Sequence, residues 1–177
     1  IQTRRIAIVL NKGTDHAEIS TAADGSPMIT GKVTENDGGV GANFGHYFAA
    51  QVYTGSSGVG ITQPVDSNGG NSDMAWLDFS PEDASTEHIT VRVATSRISA
   101  EQALENLRQE VSQKVSFGDL LAEAKESWGT VLSRVDIKSI DLQYGETERQ
   151  QMLEIFYSNL YRASLFPRQL SETNSNG

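Results

Sequence analysis

Cysteine is absent from the 177 residues. That excludes disulfide frameworks, thiolate nucleophiles and cysteine-ligated zinc. Basic residues are also in short supply: 14 Lys and Arg stand against 23 Asp and Glu, for a formal charge of −9. The deficit is spread over both halves and no basic face stands out, so no nucleic-acid partner is expected, because phosphate binding depends on clustered Lys and Arg. No apolar run is long enough to span a bilayer, so no membrane span is expected. No internal repeat is present. A signal peptide is lacking too, and the chain opens on Ile1 rather than Met, which leads us to expect a fragment or a processed product.

The first hundred residues read as strands. Residues 5–10 form a short apolar run. Residues 17–22 and 28–34 flank the turn signal Asp24-Gly25-Ser26-Pro27. Residues 46–53 are rich in aromatic and β-branched side chains. Residues 74–79 and 88–95 alternate, with Ile89, Val91 and Val93 on one face and Thr90, Arg92 and Ala94 on the other. The connections 35–45, 54–60 and 66–73 are rich in Gly, Asn, Asp and Ser. This spacing suggests an antiparallel sandwich.

The period changes at Ser99. Ser99 and Gln102 form a capping box, and Ala100, Ala103, Leu104, Leu107 and Val111 then fall on one helical stripe. A second helix starts near Ser116, with Phe117, Leu120, Leu121, Ala124, Trp128, Val131, Leu132 and Val135 along its stripe. Thr147 and Gln150 open a third, whose apolar face carries Met152, Ile155, Phe156, Leu160 and Ala163; Pro167 ends it. Strands first and helices after give an α+β class rather than alternating βαβ units.

Three segments carry a family resemblance: Val91 to Ser99 followed by Glu101-Gln102-Ala103 and Asn106-Leu107; Ala124-Lys125-Glu126-Ser127-Trp128 with Leu132-Ser133-Arg134-Val135; and Phe156-Tyr157-Ser158-Asn159-Leu160-Tyr161-Arg162 with Phe166-Pro167-Arg168. In this order they resemble glycoside hydrolase family 92, the calcium-dependent α-mannosidases. The match is good over residues 88–170 and looser before them, where it rests on strand pattern and on Asn43-Phe44-Gly45-His46-Tyr47-Phe48. The resemblance implies a β-sandwich of the galactose-mutarotase type at 1–98, of which this chain holds the later strands. A helical linker would follow at 99–143, and the first helix of a truncated (α/α)6 catalytic barrel at 144–177.

It also implies an inverting exo-mannosidase acting on mannose-containing glycans. One carboxylic acid then protonates the leaving oxygen and a carboxylate activates water, the pair sitting roughly 6.5–9.5 Å apart. The family's Glu-Gly-Asn-Ala-Trp-like and Gly-Asn-Asp-Asp-like runs, which supply these groups, do not occur here. The expectation is a chain without catalytic or metal-ligating residues of its own, inactive alone, whose partners are the rest of its polypeptide and a mannose-containing glycan. Calcium would be held by the parent enzyme with ligands outside this chain. The expected compartment is periplasmic, cell-surface or extracellular. The alternative is a stand-alone carbohydrate-binding or structural sandwich.

Individual residues leave two readings each. His46, with Phe44 two residues before it, sits at a strand start after a glycine-rich loop, where it could shape a sugar pocket or serve as a structural strand-end histidine. Arg168 could reach a carboxylate near the substrate or complement the helix dipole. These three are the candidate substrate-binding residues. Trp76 shares a face with Met74 and Asp78, and either stacks on sugar or packs against the helices. Trp128 lies on a helical stripe and is expected in packing. The Asp66–Asp73 loop is oxygen-rich but lacks the glycine and glutamate positions of a calcium loop, so a solvated turn is expected. Gly55 to Gly60 reads as a hairpin connection.

Overall fold

The computed structural model describes residues 3–10, 16–34, 44–55, 57–68, 74–83, 87–111, 115–140 and 143–166. Among these residues seven strands precede three helices: β1 (Arg4–Val9), β2 (His16–Thr21), β3 (Pro27–Val33), β4 (His46–Thr54), β5 (Asp66–Asn68), β6 (Met74–Phe79), β7 (Ile89–Ser96), α1 (Ala100–Glu110), α2 (Phe117–Leu132) and α3 (Glu146–Ser164). The chain divides into two compact units, one ending at Ser116 and one beginning at Phe117.

The first unit holds two antiparallel sheets, ordered β1-β6-β5 and β2-β3-β4-β7. Alternation places Ala75, Leu77 and Phe79 of β6 on the inner side, all fully buried. They meet Ala17, Ile29, Phe48, Ala50 and Val52 of the four-stranded sheet, with Ile6, Ile8, Ile19, Val33 and Ile89 packed around them. This layer is the core of the sandwich. The turn between β2 and β3 forms as the sequence implied. Gly25 takes a positive φ of 87°, where a Cβ would be strained. Asp24 Oδ1 accepts hydrogen bonds from Ser26 N (2.9 Å) and Ser26 Oγ (2.6 Å).

β4 is covered on both faces. Its inner residues meet the three-stranded sheet, and its outer Ala49 lies under α1 with Ala94, Ala103 and Leu107. Three alanines let the helix approach the sheet closely. Ser99 caps α1, its side chain accepting from Gln102 N at 3.1 Å. The buried residues of α1 are Gln102, Ala103, Asn106 and Leu107. Two of these are polar, and both are satisfied: Gln102 Nε2 donates to Asn106 Oδ1 (2.9 Å), and Asn106 Nδ2 donates to the carbonyl of Thr95 on β7 (3.0 Å). The stripe read from the sequence, with Ala100 and Leu104, is therefore rotated toward the amides. α1, grouped with a linker in the sequence reading, packs on the sandwich.

The second unit contains α2 and α3. Trp128 and Tyr161 meet edge to face at 4.4 Å, and Tyr157 donates its hydroxyl to the Val135 carbonyl at 3.0 Å. Trp128 is thus in packing, as expected. α3 starts earlier than Thr147. Gly145 is its N-cap, and the Glu148 carboxylate accepts from Gly145 N at 2.8 Å. A glutamate at the third helical position outcompetes the Thr147–Gln150 pairing because it also complements the positive end of the helix dipole. No residue of α2 or α3 is fully buried. Met152, Ile155 and Phe156 lie exposed along one stripe of α3, as does Phe117 on α2. Pro167 lies outside the described residues.

One loop expectation is corrected. Asp66, Ser67 and Asn68 are not part of a solvated turn. They pair with Asp78, Leu77 and Trp76 as a short edge strand. Residues 69–73 lie outside the described set.

Candidate functional site

β4 and β7 are antiparallel neighbours, with Tyr47 opposite Ser96. Extending that register by one residue sets His46 beside Arg97. The chain before β4 folds Phe44 against His46, their rings 5.5 Å apart and nearly perpendicular. The Arg97 guanidinium carbon stands 5.1 Å from the centre of the Phe44 ring. One strand over, Lys32 pairs in register with Tyr47 and places its ammonium 5.4 Å from that ring. Successive strand residues face opposite sides of a sheet, so Tyr47 and Lys32 stand on the α1 side with Ala49, while Phe44, His46 and Arg97 form a separate group.

Such a group can offer a saccharide an aromatic face together with hydrogen-bond donors. Of the residues singled out in the sequence, Phe44 and His46 are brought together. Arg168 lies outside the described residues. Arg97 was missed, although it lies two residues before the helix cap; the pairing of β4 with β7 is the signal that would have found it.

Trp76 sits on the outer face of the three-stranded sheet with Asp78, as the alternation implied. Arg5 from β1 forms a bidentate pair with Asp78, both contacts 2.8 Å, and its guanidinium carbon lies 4.0 Å from the centre of the Trp76 ring. These hydrogen bonds hold the Asp78 carboxyl below its ordinary range, against a smaller opposing effect of burial. The tryptophan face meets an arginine, and the three side chains clip β1 to β6.

A second polar cluster lies at the other end of β4. Tyr53 is fully buried and donates its hydroxyl to Asp24 Oδ2 at 3.1 Å. Burial raises the Tyr53 pKa, and the Asp24 charge adds to the rise. For Asp24 itself burial pushes upward, but hydrogen bonds from Ser26 and Tyr53 outweigh it and the net direction is down. Arg92, buried beside Tyr53, donates Nη2 to the carbonyls of Gly58 (3.2 Å) and Val115 (3.3 Å). These groups join a turn, a strand and the segment after α1, which is structural work.

Among the described residues no group of three or more His, Asp or Glu side chains could hold a metal ion. No helix among them is long and apolar enough to cross a membrane.

Comparison with known proteins adds the rest. Residues 102–177 match the family model described as the glycosyl hydrolase family 92 catalytic domain. Among curated proteins no match was found. Among solved structures, an inverting mannosidase of family 92 from Bacteroides thetaiotaomicron superposes with a TM-score of 0.74 at 27% identity. The match covers 99% of this chain and 23% of that one. A family 92 glycosyl hydrolase named ccman5 superposes with a TM-score of 0.70 at 23% identity, over 90% of this chain and 20% of its own. The chain thus spans about a quarter or less of the length of these enzymes. The family-model match and the structural matches together support a fragment of a family 92 glycoside hydrolase.

Proposed function

We propose that this chain is the non-catalytic portion of an inverting exo-α-mannosidase that acts on mannosides of N-glycans or mannans. Its role is to brace the catalytic barrel and to shape one rim of the sugar pocket. The carrying observation is the near-complete structural match to an inverting mannosidase, combined with the family's catalytic-domain pattern from Gln102 onward. In the parent, catalysis by two carboxylates and a requirement for calcium reside outside these residues. The compartment we propose for the parent is periplasmic, cell-surface or extracellular.

The rim is assigned to Phe44 and His46, with Arg97 joining them through its contact with Phe44; Arg168 is kept as a separate substrate-binding candidate on sequence grounds alone. The test has two arms. The isolated chain, incubated with a chromogenic α-mannoside and calcium, is expected to show no turnover; measurable hydrolysis would overturn the assignment. In the full-length polypeptide, His46→Ala and Phe44→Ala are expected to raise KM for oligomannosides with little change in kcat. Unchanged KM in both variants removes the rim role and leaves bracing alone. Tight binding of oligomannose by the isolated chain would instead favour a stand-alone binding module.

A further inference from the structure

β4 begins at His46, so Phe44 stands before the ladder that fixes that strand. Strand pairing therefore does not set where the phenyl ring lies. Two side-chain contacts bear on it, one from each of two neighbouring strands. His46 meets the ring edge to face, the centroids 5.5 Å apart. Arg97, just past the end of β7, brings its guanidinium carbon to 5.1 Å from the ring centre. The pairing of Tyr47 with Ser96 is what sets His46 and Arg97 side by side.

The chemistry of the arginine contact suits holding a ring. A guanidinium is planar and stacks on the negative face of an aromatic ring. An ammonium carries the same charge as a compact, strongly hydrated point and does this less well. Phe44 has no polar atom with which to fix its own orientation. A flat ring offered to a saccharide binds best when it is already in place, because ordering it on binding weakens the complex.

Given the rim role of Phe44 and His46, on which this rests, we propose that Arg97 is a positioning residue of the rim. It fixes the Phe44 ring against His46 before a glycan arrives, and it acts through the ring and not on the sugar. Its effect therefore vanishes once the ring is gone. A lysine at the same place supports the ring only in part. Lys32, whose ammonium faces Tyr47 on the other side of the sheet, takes no part.

In the full-length polypeptide, Arg97→Met is expected to raise KM for oligomannosides about 2–5-fold with kcat unchanged, the size of one cation–π contact. Arg97→Lys should recover part of that loss, and Lys32→Met, which removes an equal charge, should leave KM as it was. Added to Phe44→Ala, Arg97→Met should change KM no further. A further rise there means that the arginine meets the glycan itself, and overturns the proposal. So does an equal rise with Lys32→Met. An Arg97→Met enzyme with the parent KM, when Phe44→Ala and His46→Ala raise it, overturns the proposal and leaves the rim in place. Should neither of those two variants move KM, the rim reading falls and the positioning role falls with it.

Proton NMR of the 177-residue chain reads the geometry directly. Arg97→Met is expected to shift the His46 ring protons, assigned with His46→Gln, because the ring current of Phe44 moves with the ring; circular dichroism should stay unchanged. Unmoved His46 protons overturn the proposal. Nuclear Overhauser contacts between the Arg97 side chain and the Phe44 ring are expected in the unaltered chain. That measurement needs no substitution, and their absence overturns the proposal even where a variant misfolds.

Discussion

Gly31→Ala is the sharpest test of how the sandwich is packed. Gly31 lies in β3, opposite Phe48 of β4 and Ala17 of β2. A Cβ built there would stand 2.4 Å from the His16 carbonyl oxygen and 2.5 Å from a Phe48 ring carbon. Two effects oppose each other. Replacing glycine by alanine in a compatible backbone stabilises by about 0.4–1 kcal/mol, by restricting the unfolded chain. Overpacking a filled core costs about 1–3 kcal/mol.

The clash wins because one of its two sides is backbone. The phenyl ring can turn, but the His16 carbonyl belongs to the strand that pairs with β3 and moves only if the β2–β3 ladder shifts. The net expectation is a loss of roughly 1–2 kcal/mol, read as a fall in melting temperature of about 3–8 °C. Urea titration with an unchanged m-value would confirm that stability and not compactness has changed. Phe48→Leu, combined with Gly31→Ala, removes the ring atoms from the clash, so the double variant should be less destabilised than the sum of the singles. A coupling of about 0.5–3 kcal/mol is the range for residues in contact. A Gly31→Ala protein as stable as the parent, or more so, refutes the close approach of β2, β3 and Phe48.

Three further predictions follow from particular contacts. Leu107 is 1% exposed beneath α1, so Leu107→Ala should destabilise the first unit by about 2–5 kcal/mol in chemical denaturation; a loss under half of that would mean α1 rests loosely on the sheet. Asp24 has its folded pKa below the ordinary value of about 3.9, so its contribution is present above that pH and lost as pH falls through the folded pKa. Acid titration of stability should therefore steepen below about pH 4, and Asp24→Asn should flatten that segment; identical acid limbs would remove Asp24 from the account. The exposed Met152, Ile155 and Phe156 should make the chain bind an apolar fluorescent dye, and changing all three to serine should reduce the signal with helicity retained.

The strands were legible wherever one face is buried and the other is not. β6 shows this, with Ala75, Leu77 and Phe79 inward and Trp76 and Asp78 outward. β4 could be read only by composition, since covering both faces erases alternation. β7 misleads in a different way. Its alternation is real, but Arg92 is 6% exposed and Val93 is half exposed, the reverse of what hydropathy implies. The reason is tertiary: α1 packs on the arginine's side of the sheet, while the three strands of the opposing sheet among the described residues leave the valines exposed. No local pattern encodes how far the facing sheet extends. The same limit explains β5, whose Asp, Ser and Asn have turn chemistry and become a strand only because β6 offers them an edge.

The candidate site was half legible for a related reason. Phe44 and His46 are near in sequence and could be read together. Arg97 reaches them across fifty residues and through the register of two strands. The segments that carry the family resemblance show what such a resemblance measures. In the first helix it rested on Glu101, Gln102, Ala103, Asn106 and Leu107, and the last four of these are the residues buried in α1. Two alanine-sized and leucine-sized contacts set the distance between helix and sheet. The two amides fix where along the strand the helix sits, because Asn106 must meet the Thr95 carbonyl and Gln102 must meet Asn106. A helix docked by apolar contacts alone could slide along β7; a buried carbonyl awaiting its donor stops it. The matched family pattern begins at Gln102, inside the sandwich unit rather than after it. The part of the resemblance that lies in α1 is therefore a device that docks a helix on the face of a sheet.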